Sequence, residues 1–321
     1  MGAITETAKK PFQMKGETKL KRDRDRAAET TAARSKAVSS AMFLRHFREV
    51  EGLEQPVMQI AQAFIVCCPL PYTRTTLTRI ERTAKMGDGS RVTVILSAVS
   101  DAEMAFGSDR VLLYWLFNKA IKLKSRFIPL RYVSEYLTDM GLTNCGKNRR
   151  DLVERLARVS GIFICVNRVD KLGKREGVML PMFRAYRLPA AFEWKENQKP
   201  IDFRPDEPMG VEFSEEFFAD LSRHRVPVPM DFIKATRKQS QLQDLANFLY
   251  YRGYIAKNES LIPYSEILQQ VWHGDKTIRR LKVRLGEVKT ILKVIHPEID
   301  FDILEDGLLI RPHRTELLLG K

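Results

Sequence analysis

The chain has 321 residues and carries 54 lysines and arginines against 40 aspartates and glutamates, a formal charge of +14. With 44% hydrophobic and 9% aromatic residues the composition is globular, which argues against a chain disordered throughout, and no apolar run approaches the roughly 18 residues that a membrane helix needs. The length suits two domains of about 100 to 150 residues each, and the charge points to a polyanionic partner.

The opening MGAITETAKK lacks the apolar stretch of a secretory signal, and four cysteines in a chain of this length do not make a disulfide scaffold. A reducing cytoplasm is the expected setting. Residues 1–36 hold ten basic and five acidic residues with Phe12 as the sole aromatic, too little apolar surface to offset the entropy of ordering, so a disordered basic tail is expected. Val38, Met42, Phe43, Phe47 and Val50 recur at helical spacing, and a short helix is expected after Pro56. Arg91 to Val99 reads as a strand.

From Asp109 the order becomes informative. Asp109 to Leu123 reads as a helix with Leu112, Leu113, Leu116 and Phe117 on its apolar side; Arg126 to Leu130 is short and extended because the residue before proline avoids the α region. Tyr132 to Met140 reads as a second helix capped by Gly141, and Cys145 to Ser160 as a third, ending at Gly161. Ile162 to Val169 and Val178 to Leu188 then form a hairpin around the charged turn DKLGKREG. Helix, short strand, two helices and a basic hairpin is the order of a winged helix.

The order returns downstream: a helix over Gln241 to Ile255, the extended Leu261 to Tyr264, a helix Glu266 to Trp272 capped by Ser265, a long helix Lys276 to Ile295, and the closing hairpin FDILEDGLLIRP with a tight turn at Asp306-Gly307. Ile121 precedes Ile128-Pro129 by the same interval that separates Ile255 from Ile262-Pro263, which marks a duplication. The expected fold is α+β, mainly α: a tail (1–36), a first winged-helix domain with an N-terminal extension (37–193), a proline-rich linker (194–210) and a second winged-helix domain (211–321).

On a helical wheel Ile278, Leu281, Leu285, Val288, Leu292 and Ile295 form the core stripe of the last long helix. Opposite them lie Lys276, Arg279, Val283, Gly286, Glu287 and Thr290, flanked by Arg280, Lys282, Arg284 and Lys289. Such a face suits a major groove: arginine pairs with guanine, valine meets a thymine methyl, lysine neutralises phosphate and glycine lets the backbone approach. A charge run is usually only a solvated face, but the helix before the hairpin is where this class places base recognition; Arg311 follows in the hairpin itself. In the first unit Lys147, Arg149, Arg150, Arg155 and Arg158 on the third helix, with Lys171, Lys174 and Arg175 on the wing, fit backbone phosphates or, equally, a dimerisation surface.

Other chemistries lack their parts. Cys67, Cys68, Cys145 and Cys165 read as structural thiols and show no zinc spacing; the five histidines are far apart, so no metal or cofactor is expected. Gly141 to Asn148 matches the phosphate-loop spacing but has Asn148 where a hydroxyl must hold Mg²⁺, and it follows a helix rather than a strand.

RVLLYWLFNKAIKLKSRFIPL, the helix ending at Met140-Gly141-Leu142, VEFSEEFFADLSRHRVPVPM and the terminal EDGLLIRP together resemble the plasmid-encoded RepA-type replication initiators of bacteria, over roughly Leu70 to His313. The resemblance implies a non-enzymatic protein that binds direct repeats in double-stranded plasmid origin DNA, promotes opening of A·T-rich DNA, engages a host initiator ATPase and the replicative helicase, and passes between monomer and homodimer near the nucleoid. A winged-helix repressor uses the same parts, and an NTP-dependent helicase loader would have to use the Gly141 loop.

Overall fold

The computed structural model describes residues 36–46, 49–51, 57–86, 89–99, 103–129, 133–187, 209–272 and 277–313; apart from Lys36, the expected basic tail lies outside them. Residues 36–46 form helix α1, which buries Ala37 and Ala41. The segment after Pro56 is not simply a helix: strand β1 (Val57–Ala61) comes first and runs into a short helix α2 (Gln62–Cys67). Met58 and Ile60 are buried and Val57 and Gln59 half-buried, a period of two that suits a strand rather than a helix.

A four-stranded antiparallel sheet follows, built from β2 (Arg79–Lys85), which the sequence reading missed, β3 (Arg91–Ala98), β5 (Ile162–Val169) and β6 (Arg175–Pro181) in the order β2-β3-β5-β6. It takes up the hairpin expected as the first unit's wing. The strand expected over Val178 to Leu188 breaks at Met182: β6 pairs with β5 as far as Pro181, and β7 (Phe183–Arg187) joins another sheet. Proline has no amide hydrogen to continue a ladder, so the chain changes sheets there.

The first winged unit is therefore α3 (Asp109–Leu123), β4 (Phe127–Pro129), α4 (Val133–Asp139), α5 (Gly146–Ser160), β7 and β8 (Gly210–Phe213), its sheet ordered β4-β8-β7. The last residue of the expected linker, Gly210, is thus the first of a strand in this sheet; residues 188–208 lie outside the described residues. After α6 (Glu215–Arg223), β9 (Arg225–Pro229) and α7 (Met230–Thr236) the pattern returns as α8 (Ser240–Ile255), β10 (Ser260–Pro263), α9 (Tyr264–Gln270), α10 (Ile278–Ile295), β11 (Phe301–Ile303) and β12 (Gly307–Ile310), ordered β10-β12-β11. The start of α9 differs from expectation: Pro263, not Ser265, is its N-cap, because the helix begins at buried Tyr264, whose hydroxyl donates to the Leu304 carbonyl at 2.6 Å.

The two sheets share one close approach. Pro129 faces Gly210 and Pro263 faces Gly307. A Cβ at Gly307 would stand 2.6 Å from the Ile262 carbonyl oxygen, and one at Gly210 would press on the Ile128 carbonyl oxygen and the Phe127 ring. Gly307 serves this packing rather than a left-handed turn, since its φ is not positive.

The first helix of each unit, α3 and α8, is buried on nearly every side and lies at the centre. They are joined by the Arg110–Asp244 ion pair, both side chains 1% exposed. Arg110 also donates to the carbonyls of Gly107 (2.9 Å), Leu70 (3.0 Å) and Ser240 (3.3 Å), which meets the requirement that a buried charge be paired and hydrogen-bonded. β1 pairs antiparallel with β9, and Phe117 packs against Phe64, Phe213 and Phe217, so one continuous apolar core serves both units.

Candidate nucleic-acid interface

The amphipathic pattern of α10 buries Leu281, Leu285, Val288, Ile291, Leu292 and Ile295. The expected stripe is displaced at its start: Ile278 is 46% exposed, because the helix meets the core only from Leu281 onward, and Ile291 is buried in its place. On the other side Arg279, Arg280, Val283 and Thr290 are exposed, with Val283 at 49%. A Cβ at Gly286 would touch nothing, so this surface is open to close approach. The Arg279 side chain makes no hydrogen bond or ion pair among the described residues. The flanks are tied down: Arg284 pairs with Glu287 at 2.7 Å, Lys282 donates to the Glu305 carbonyl at 3.0 Å and stands 5.0 Å over the Tyr264 ring, and Lys289 pairs with Asp302 at 3.0 Å. Lys276 lies outside the described residues.

On α5 the same residue types divide differently. Lys147 and Arg150 are exposed, and Arg149 donates to Asn144 at 2.7 Å. Arg155 and Arg158 turn inward, donating to the Asp109 carboxylate at 2.9 and 2.8 Å. Asp109 is 2% exposed. Arg155 also donates to the Ser108 carbonyl (2.5 Å), and Arg158 lies over the Phe106 ring at 5.1 Å. The two arginines clamp the start of α3. Nothing in the pattern of α5 pointed to Asp109, because the partner lies on another helix.

Lys171, Lys174 and Arg175 are exposed on the β5–β6 turn, in the four-stranded sheet rather than the winged one. Arg311 is tied to three carboxylates, Asp300 (2.5 Å), Asp302 (2.6 Å) and Glu259 (3.0 Å). Hydrogen bonds from Arg311 and Lys289 hold the Asp302 carboxyl below its ordinary value. The Gly141 loop joins helix α4 to helix α5, with Gly141 left-handed at φ 61° and the Leu142 amide bonded back to the Leu137 carbonyl at 2.7 Å, a helix-stop arrangement and not the strand-to-helix turn of a phosphate loop. All four cysteines are free thiols; Cys67 and Cys68 are buried while Cys145 and Cys165 are only half-buried, and burial pushes the Cys67 thiol up to about 12. Among the described residues no group of three or more His, Cys, Asp or Glu side chains is placed to hold a metal ion, and no helix is long and apolar enough to cross a membrane.

The fold and this surface define an α+β protein with tandem winged units, whose last long helix exposes Arg279, Arg280, Val283 and Thr290. No protein-family model and no curated protein matches the sequence. Solved structures do match in fold. A crystal structure of domains 2 and 3 of RctB superposes with a TM-score of 0.50 at 12% identity, covering 78% of this chain and 96% of that one. A second structure of the same two domains gives 0.49 and 12%, with 81% and 100% covered.

Proposed function

We propose that the protein is a replication initiator that binds direct repeats in double-stranded origin DNA, with α10 as the helix that reads bases in the major groove. The observation that carries this reading is the face of exposed Arg279, Val283 and Thr290 around half-buried, unobstructed Gly286 on the helix immediately before the winged hairpin. The charge of +14, the duplicated unit and the fold likeness to domains 2 and 3 of RctB speak for it as well. α5 contributes phosphate contacts from Lys147 and Arg150.

In this reading the origin belongs to a plasmid. The protein opens A·T-rich DNA beside the repeats, engages a host initiator ATPase and the replicative helicase, and passes between monomer and homodimer in a bacterial cytoplasm. It hydrolyses no nucleotide. A footprint on the DNA flanking the gene is the direct test: regularly spaced protected repeats are expected, whereas one isolated operator identifies a repressor instead. Lys147→Ala is expected to change DNA affinity alone; ATP hydrolysis that disappears in this variant overturns the non-enzymatic assignment.

A further inference from the structure

The four-stranded sheet packs one face on the core, through Ile80, Val94, Leu96 and Ile164, and leaves the other open. At one end of the open face the register sets Lys85 opposite Arg91, Arg91 opposite Val169, and Val169 opposite Arg175. The adjoining β5–β6 turn adds Lys171 and Lys174. All five cations are exposed. None of their side chains makes a hydrogen bond or ion pair among the described residues.

The nearest acid of the turn, Asp170, is occupied with the amides of Leu172 and Lys174 at 2.9 and 2.8 Å. Glu176 alternates to the opposite side of the strand from Arg175. Like charges directly opposite in a sheet are destabilising, and Lys85 and Arg91 face each other with no ion pair to an acid among the described residues. The other end of β2 shows the relieved alternative, with Arg79 paired to Glu81 at 3.3 Å. With strands about 4.8 Å apart, the row from Lys85 to Arg175 spans about 14 Å, a basic ledge on a rigid support.

We propose that this ledge is a further DNA contact, which grips the phosphate backbone of the duplex outside the bases that α10 reads. The proposal rests on the duplex-binding reading above and adds to it Lys85 and Arg91, residues that carry no motif of their own and become neighbours only through the β2–β3 register.

The test uses the full chain with a synthetic duplex carrying the repeat and with a scrambled duplex, titrated between 50 and 200 mM salt. Each lost phosphate contact lowers the slope of log K against log salt by about 0.9, so Lys85→Ala/Arg91→Ala is expected to lower it by about 2. Affinity should fall by the same factor for both duplexes, and the melting temperature should not fall. Arg91→Ala should lower the slope by about 1, while Arg79→Ala, an equal charge change on the same sheet, should leave it unchanged. A wild-type protein that binds steeply while the double variant keeps its slope overturns the ledge alone. So does an Arg79 variant that falls as far as the Arg91 variant, since net charge then explains the effect. A wild type that shows no salt-dependent duplex binding overturns the ledge and the repeat-binding reading together.

Discussion

α5 and α10 occupy the same step of the two winged units, and both are studded with arginine and lysine, yet they use those cations differently. On α5 one buried carboxylate, Asp109, captures Arg155 and Arg158 and turns them into a clamp between helices. On α10 the acids sit at the flank, where Glu287 takes Arg284 and Asp302 takes Lys289, while Arg279 projects outward from the first turn. The number of cations on a helix therefore says little about its role. What decides is where the rest of the fold places acids against it, and a carboxylate from another helix is invisible to any periodicity.

The comparison breaks most visibly if the buried side of α10 is wrong. Leu281→Ala should cost about 2 to 5 kcal/mol of stability through the cavity it leaves, seen as a lower melting temperature with DNA preference retained in the folded fraction. Next is the clamp. Asp109→Asn strands two partly buried arginines and should cost about 3 kcal/mol, whereas wild-type stability in this variant would mean that Arg155 and Arg158 are free to face DNA after all. Arg279→Ala should leave the melt unchanged and cost about 1 to 3 kcal/mol of binding to the cognate repeat, with relaxed preference at one base position; an unfolded Arg279 variant would reverse the assignment of the two faces.

The smallest effect is one of pH and belongs to the second unit. His313 packs on Tyr250, with its Nε2 2.8 Å from the Tyr250 carbonyl oxygen, and burial holds its pKa below the ordinary 6.5. Below about pH 6.5 the unfolded chain takes up a proton that the folded ring refuses. Stability is then full above that pH and declines as the pH falls toward the depressed folded value. Denaturant melts of the wild type and His313→Gln between pH 7.5 and 5 should show a shallower decline in the variant.

Much of the skeleton was legible. α3 and β5 fall on the residues that apolar spacing marks, Asp109–Leu123 and Ile162–Val169, because buried helices and strands leave strong periodic traces, and Gly141 stops its helix in the left-handed conformation expected of it. The wing of the first unit was not legible, because the hairpin that follows α5 in sequence is diverted into another sheet, and the true third strand, β8, returns only after residues 188–209. Proximity in the chain misled here, since pairing partners are chosen by the sheet. In the candidate site Arg279, Val283 and Gly286 follow from the wheel alone. Arg155, Arg158 and Arg311 could not be placed without their acidic partners, and Lys85 and Arg91 required a register.

The matched glycines bear on how relatives of this chain can be recognised. At Gly210 and Gly307 a single added methyl would pry a three-stranded sheet open against a proline-ended strand. The prohibition is steric and independent of which bases, partners or hosts a descendant meets, so it should outlast drift that erases ordinary sequence likeness. A search keyed to Ile-Pro followed at a distance by a strand that opens with glycine, twice in one chain, therefore has a physical reason to find cousins that whole-chain similarity overlooks.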